Sequence, residues 1–484
     1  MDKQAFVPVS SKQEPVKKTE CNRLLHPVTI WKYFSKFSFL LFFPILQAMM
    51  KEPLSLLALS NFPWIVSVCV ICLMQYFSCR YSFHQENLYY QSGLFLHRKF
   101  YFPLYQLSSA TIRTTPLLSL FGAAKLQIDT MSDTPKGADL TLTLSKKELF
   151  FFWNHTAGKL EDCCKVKNFA IFLMVCSWSN PASGLLLMGL FLQRVAKIWG
   201  REISDQLYTT IDQSYRLIAL GIPPTIAALG YLLAFGWLIA VFRQFLFYGN
   251  FQSERRKNGI AISHGIFART RRIFSPQSIC AVELRQTLLM FLTRRTAAYL
   301  HCRGSGRGKD ERNLLTTAMK KEKSTQVLSR LLPELHFFVE PITALRPVRG
   351  SWKGFLFLPL CEFLGLLLLV SFFPKSIFLP ILFFLFLFPL CLFIIRLLGY
   401  RKTRLALCGD FLLVSGCHKF SLFTALIERN HLQSIRVTQN PFQKLSKTCS
   451  VRFYVGADRK KYFLIRHFRV SMIENFLFSG DFSF

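Results

Sequence analysis

Acidic residues are scarce in this chain. Its 484 residues hold 27 Asp and Glu against 60 Lys and Arg, a formal net charge of +33. The protein is therefore basic wherever it is not apolar. No His-Glu-x-x-His run occurs, which excludes a zincin helix. Cys69-x-x-Cys72 has a zinc or redox spacing, but it lies in an apolar run with no second pair, so it reads as two small apolar residues of one helix. The 14 cysteines show no disulfide-framework spacing, and Cys176, Cys361 and Cys391 also sit in apolar runs; all read as reduced. Gly304-Ser305-Gly306-Arg307-Gly308-Lys309 approaches a phosphate loop. However, Arg303 stands where a glycine is required, and Asp310 replaces the Ser or Thr after Lys309. It reads as a hairpin tip. No nucleophile–base or metal set can be assembled, so neither an enzyme nor a catalytic, metal or cofactor site is expected. No recognition motif for nucleic acid accompanies the charge, and nucleic acid is not an expected partner.

What the chain does contain is repetition, which has to be settled before fold. Residues 107–128 align without a gap with residues 432–453. Leu107 meets Leu432, Ile112 meets Val437, Pro116 meets Pro441, Leu120 meets Leu445 and Ile128 meets Phe453. A fainter copy at 279–300 keeps Leu288 at the proline position and Leu292 four residues on. Each copy begins with a short alternating run that reads as a half-buried strand. The proline then breaks the ladder, and a second alternating run follows. Upstream, Gly93 and Gly265 precede the copies by the same separation, and Gly416 precedes the third by two residues more. Downstream, Ser145-Lys146-Lys147-Glu148 and Ser471-Met472-Ile473-Glu474 have the form of a helix capping box. The repeating unit is thus several antiparallel strands closed by one short helix.

The run from Arg429 through Leu432-Gln433-Ser434-Ile435-Arg436-Val437-Thr438-Gln439-Asn440-Pro441-Phe442 to Leu445 resembles the YdbS/YdbT-like bacterial membrane proteins. The first copy shares Pro103, Gln106-Leu107-Ser108, Pro116-Leu117 and Leu120-Phe121-Gly122, and the middle copy shares Pro276-Gln277-Ser278-Ile279 and Gln286. The middle copy lacks the later proline and the capping box, which leaves the completeness of its C-terminal half open. The resemblance implies modules with a bacterial pleckstrin-homology-like (PH-like) fold, in a binding or scaffolding role without catalysis.

Half of the residues, 51%, are hydrophobic and 51 are Phe, which suggests membrane spans beside cationic domains. The expected fold class is an α+β membrane protein. It has three transmembrane helical hairpins, six spans in all, each followed by a PH-like antiparallel β module with a C-terminal helix. Residues 1–29 form a polar tail without the pattern of a secretory signal. The hairpins fall at 30–77, 169–242 and 355–398, and the modules at 78–160, 251–342 (divergent and basic) and 400–484. An amphipathic connector occupies 193–216. Even numbers of spans place the modules and N-terminus on one face, and the Lys/Arg balance makes it the cytoplasmic face of the cell inner membrane.

Arg269, Arg271, Arg272, Arg294 and Arg295 are the candidate contacts for anionic lipid or a partner, although a solvated basic face would look the same. Glu362, inside the fifth expected span, is the candidate intramembrane polar residue, with Arg396 as its one visible counter-ion. The expected function is a non-enzymatic membrane scaffold or adaptor, with an envelope-related role among its forms. Its modules would bind membrane lipids or an unidentified protein, such as another membrane protein. The alternative is a transporter or lipid-handling protein with a pathway between the six helices.

Overall fold

The computed structural model describes residues 23–41, 62–84, 87–94, 96–131, 138–178, 224–304, 313–334, 344–371, 375–457 and 461–479. The N-terminal tail up to residue 22, the turn at 51–53, the connector at 193–216 and the glycine-rich tip beyond Gly304 lie outside them. The chain divides into two compact units. The smaller comprises Met1–Leu107, Leu117–Lys125 and Leu142–Leu149; the larger comprises Ser108–Pro116, Leu126–Thr141 and Phe150–Phe484.

In the smaller unit, helix α1 (Thr29–Phe37) packs on α2 (Phe62–Ser78). Ile30, Tyr33, Phe34 and Phe37 surround the buried Val68 and Cys72. A sheet follows in the order β1 (Arg23–Leu24), β2 (Arg80–His84), β3 (Asn87–Ser92) and β4 (Arg98–Pro103), all antiparallel. Tyr81 and Leu88 are fully buried in it. Gly93 begins the β3–β4 turn at φ 123°, a conformation open to glycine for want of a Cβ. Short helix α3 (Pro116–Leu120) belongs to this unit from Leu117 on. Strands β5 (Leu107–Thr114), β6 (Ala123–Thr130) and β7 (Leu140–Ser145) and helix α4 (Lys146–Ala157) have residues in both units. The capping box predicted at α4 is present: the Ser145 N–H donates to Glu148 Oε2 at 3.3 Å, and the Glu148 N–H donates to Ser145 Oγ at 3.4 Å.

In the larger unit the strand plan occurs twice more. The middle repeat has β9 (Gln252–Arg256), β10 (Gly259–His264) and β11 (Arg269–Phe274). Next come β12 (Ile279–Thr287), short helix α7 (Leu288–Leu292), β13 (Arg295–Cys302), β14 (Leu314–Lys320) and α8 (Lys321–Leu331). Its C-terminal half is therefore complete, although its sequence lost the proline and the box. The C-terminal repeat has β15 (Arg404–Cys408), β16 (Phe411–His418) and β17 (Ser421–Glu428). It continues with β18 (Leu432–Thr438), α11 (Pro441–Leu445), β19 (Thr448–Val455), β20 (Tyr462–Arg469) and α12 (Val470–Ser479). Two details differ from the sequence reading. Gly416 lies inside β16, and Lys419 at φ 51° makes the following turn instead. Helix α12 starts at Val470, so Ser471 lies within it.

Inward side chains form the cores of the middle and C-terminal repeats. In the C-terminal one, Leu412, Val414, Ala425 and Ile427 face Val451, Phe453, Phe463, Ile465 and Phe468, with Ile473 of α12 closing the cluster. Each such large side chain contributes about 1.5–3 kcal/mol by leaving water. Leu300 and Leu315 do the same in the middle repeat, with Leu328 and Leu331 from α8 and Ile171 and Met174 from α5 (Asn168–Trp178).

The repeats are not separate beads. Strand β11 pairs antiparallel with β5, and β17 pairs antiparallel with β12. The second joint creates one six-stranded sheet, β14–β13–β12–β17–β16–β15. The outer edge of each first strand is covered by the segment before it: β1 on β2, β8 (Leu160–Lys165) on β9, and a single bridge from Leu345 to Leu405 on β15.

The antiparallel α+β part of the expected fold class stands, but its six membrane spans do not. Among the described residues no helix is long and apolar enough to cross a membrane. The run expected to make the first span gives the 9-residue α1 followed by a 3-10 turn at Ser38–Leu41. At 1.5 Å per residue that helix reaches roughly 14 Å, against about 30 Å of hydrocarbon. The third expected span shows 11 helical residues in α5 before the described residues end. The longer helices carry charge or proline within their bounds. Helix α6 (Pro224–Tyr248) contains Arg243, α9 (Trp352–Ser371) contains Lys353, Pro359 and Glu362, and α10 (Lys375–Lys402) contains Arg396, Arg401 and Lys402. The helix-lined pathway of the alternative reading falls with the spans.

Candidate functional site

The proline-to-leucine stretch that marks the sequence repeat becomes the same small object in every copy. It is a five-residue helix (α3, α7 or α11) between the first two strands of the second sheet. Thr287 caps α7 by accepting from the Met290 N–H at 3.4 Å. At α11 the Asn440 N–H donates to Gln443 Oε1 at 3.1 Å, and the buried Gln443 donates to Ser450 Oγ at 2.8 Å. These bonds fix the polar side of the turn and leave its apolar side outward. Leu117 and Leu120, Leu289 and Leu292, and Phe442 and Leu445 occupy the same two aligned positions. Their exposures run from 41% at Leu289 to 85% at Leu445.

The residue that leaves each tip has a left-handed backbone: Gly122 at φ 69°, Arg294 at φ 52° and Lys447 at φ 49°. These three positions also align. A side chain there costs about 1–2 kcal/mol, so an exposed arginine and an exposed lysine at that place are informative. Further cations stand beside them. Arg295 follows Arg294, and Lys444 lies within α11. The Lys402 Nζ lies 4.5 Å from the centre of the Phe291 ring, and burial, then the neighbouring Lys321 charge, lowers the pKa of Lys402. At α3, Lys146 Nζ donates to the Ser119 carbonyl and hydroxyl at 3.1 and 2.9 Å.

A second feature is a cavity of about 200 Å³ where the middle and C-terminal repeats join. Glu283, Arg285, His418, Lys461 and Phe463 are among its lining residues. Glu283 and Arg285 stand two apart on β12 and so share a face. Glu283 is 2% exposed. Its Oε1 accepts from Arg285 at 2.7 Å, and its Oε2 accepts from His301 Nε2 at 2.8 Å and from Lys461 at 3.1 Å. Burial alone would raise its pKa. The His301 hydrogen bond and the Arg285 and Lys461 charges outweigh burial and hold the carboxyl well below its usual range. Burial lowers the pKa values of His301 and His418. Two cations thus surround one carboxylate, so the open side of the cavity suits an anionic group. Sequence reading missed this cluster. Its one local signal was an acid–base pair at strand spacing inside an otherwise apolar run.

The structure scatters the five candidate arginines. Arg269 and Arg271 are exposed on β11, and Arg294 is exposed at the α7 tip. Arg272 is buried; it donates to Asn313 at 2.6 Å and lies 3.9 Å from Asp129. Arg295 donates to the Ala318 carbonyl at 3.0 Å. Glu362 lies on α9 with its Oε2 shielded and without a hydrogen-bond partner among the described residues. Arg396 is buried and directed at Cys417 Sγ, 3.9 Å away, and no ion pair between it and Glu362 is present among the described residues.

The sequence profile of the bacterial PH domain matches residues 39–159 and 355–477, together just over half of the chain. No curated protein and no solved structure gives a significant match. The chain belongs to the bacterial PH domain family, and the repetition of PH-like domains supports a binding or scaffolding role.

Proposed function

We propose, for a member of the bacterial PH domain family, that the repeats form a non-enzymatic scaffold which docks on an anionic lipid surface through its short-helix tips. Within the family, the run from Leu432 to Leu445 supports a likeness to the YdbS/YdbT-like proteins, and the acceptor surface in this reading is the cytoplasmic face of the cell inner membrane. One observation carries the reading: the same two positions are apolar and exposed in each of three repeats, with cations beside them. Solvent gives no reason to keep such a pair three times. A tip residue that enters the lipid boundary gains about 1.5–3 kcal/mol, and each nearby Lys or Arg adds about 1 kcal/mol at an anionic surface. Several such contacts on one chain reinforce one another through effective concentration. The joint cavity, with Arg285 and Lys461, is suited to a phosphate-bearing headgroup.

The test places a tryptophan at each tip in turn, Leu120→Trp, Leu292→Trp and Leu445→Trp. Quenching by brominated lipid is read as the difference from the unsubstituted chain. The added tryptophan is expected to be quenched at shallow depth in phosphatidylglycerol vesicles and to stay unquenched in purely zwitterionic ones. Absence of extra quenching at all three tips in anionic vesicles would sink the reading.

A further inference from the structure

The two joints between repeats share one register. In the first, Phe274 of β11 stands opposite Ser109 of β5. In the second, Ile427 of β17 stands opposite Ala281 of β12. Ser109 and Ala281 are each the third residue of their strand. Phe274 and Ile427 each lie two residues before the 3-10 turn that ends the first sheet, Pro276–Ser278 and Arg429–His431. The chain has therefore made the same strand-to-strand contact twice, always the last strand of one repeat's first sheet against the first strand of the preceding repeat's second sheet.

Each repeat accordingly carries one edge of each kind, and one edge of each kind is left over. Strand β18 is the counterpart of β5 and β12, yet among the described residues it pairs only with β19. Strand β4 is the counterpart of β11 and β17, yet among the described residues it pairs only with β3. Exposure agrees. Leu107 to Ile112 of β5 and Ile279 to Glu283 of β12 are all buried, whereas Gln433, Ser434, Arg436 and Val437 of β18 are exposed. Likewise Arg98, Lys99, Phe100 and Tyr101 of β4 are exposed. Among the described residues nothing covers either edge.

We propose that β18 of one chain pairs antiparallel with β4 of a second copy, repeating the joint already made twice within the chain. Carrying the register over puts Phe102 opposite Ser434, Phe100 opposite Arg436 and Lys99 opposite Val437. The pair Phe100–Arg436 offers a guanidinium an aromatic face. The pair corresponds to Arg272–Thr111 in the first joint and to Ala425–Glu283 in the second, so side chains of very different size already share that position. An uncovered edge is a standing template for another strand, and the strand this chain is known to accept there is its own. The contact is heterologous, so it closes into a ring or runs on as a filament.

The test mixes two differently tagged full-length chains, one Phe100→Cys and the other Arg436→Cys, under mild oxidation. Directly opposed strand residues have Cβ atoms about 4.5–5.5 Å apart, near the separation a disulfide needs. A disulfide joining the two tags, with the 100–436 linkage identified by mass spectrometry, is expected. It should exceed that of the frame-shifted pair Phe100→Cys with Val437→Cys. Val437→Lys, which sets like charges opposite Lys99, should weaken self-association up to about fivefold, and Lys99→Glu in the partner should restore it. Thermal unfolding of each variant checks that it remains folded. A monomer at every concentration, association untouched by Val437→Lys, a 100–436 link formed only within one chain, or capture of a different protein at position 436 would each overturn the proposal.

Discussion

Strand β12 in the middle repeat has β13 on one side and β17 on the other. Its counterpart β18 in the C-terminal repeat has β19 on one side and no described strand on the other. The same aligned position holds Glu283 in the first and Arg436 in the second. The covered strand can hold a buried carboxylate because Arg285 of its own strand, His301 of β13 and Lys461 just before β20 all converge on it. The open strand keeps groups that water satisfies, Gln433 and Arg436, and charge on an edge also discourages indiscriminate pairing. The family profile matches the C-terminal repeat and passes over the middle one. The two repeats share one backbone plan while these aligned strands differ in sequence and in burial.

The strongest way to break this comparison is to remove the carboxylate. Glu283→Ala leaves Arg285 and Lys461 without their counter-charge at a buried site. Breaking a buried pair in this way costs about 3–5 kcal/mol. Arg436→Ala at the aligned open position is expected to stay within about 0.5 kcal/mol. Denaturant midpoints of the two variants measure the gap, and equal midpoints would show that the joint does not bury its charges.

A second prediction tests the two cores, which should be alike where the strands are not. Leu300 and Phe453 occupy one aligned position and are 1% and 0% exposed. Leu300→Ala is expected to cost about 2–5 kcal/mol and Phe453→Ala about 3–5 kcal/mol. A small loss at Leu300 alone would mean that the divergent repeat is loosely packed.

Acid separates the repeats as well. The Glu283 carboxyl has a lowered pKa in the folded protein, so its contribution is present above the ordinary carboxylate range and is lost as pH falls through the folded value. His301 is lowered too, chiefly by burial. An unfolded histidine takes up a proton near its ordinary pKa while the folded one still refuses it, so stability begins to fall as pH drops below about 6.5. Arg285 and Lys461 face the same cavity and oppose further positive charge on His301. Burial lowers His264, His418 and His467 in the same way, so His301→Gln should reduce the earlier loss without abolishing it and leave the later one, as read from unfolding midpoints between neutral pH and the carboxylate range.

Much of this was legible in the sequence, and the exceptions have physical causes. The repeat was readable because alternation, the turn glycines Gly93 and Gly265 and the proline-to-leucine stretch are local signals. The Ser145–Glu148 box was local too, and it formed. The joints were invisible because one strand edge meets another through backbone groups, which every residue carries. Glu283, His301 and Lys461 are brought together from different strands and from two repeats, so no spacing rule links them. The spans failed for a different reason. Apolar composition over 30–50 says nothing of where a helix stops, and α1 stops at Phe37. Arg272 looked like a surface cation because it stands beside Arg271 in an arginine-rich run, but alternation with the exposed Arg269 and Arg271 turns its side chain inward toward Asn313.

The smallest effect on stability is expected where the repeats are most alike, and there the effect on binding should be largest. Leu292 is 71% exposed and Leu445 is 85% exposed. Neither contributes to a core, so Leu292→Ser and Leu445→Ser should each change stability by no more than about 0.5 kcal/mol. If both tips enter one lipid surface, each serine should lower affinity for phosphatidylglycerol vesicles, and the double substitution should lower it by more than either. Vesicle co-sedimentation of the folded variants measures this. Loss confined to Leu445→Ser would assign lipid docking to the repeat that the family profile matches and leave the middle repeat the task of holding its neighbours in register. Equal losses would mean that divergence of β12 left the exposed tip under the same constraint as its counterpart.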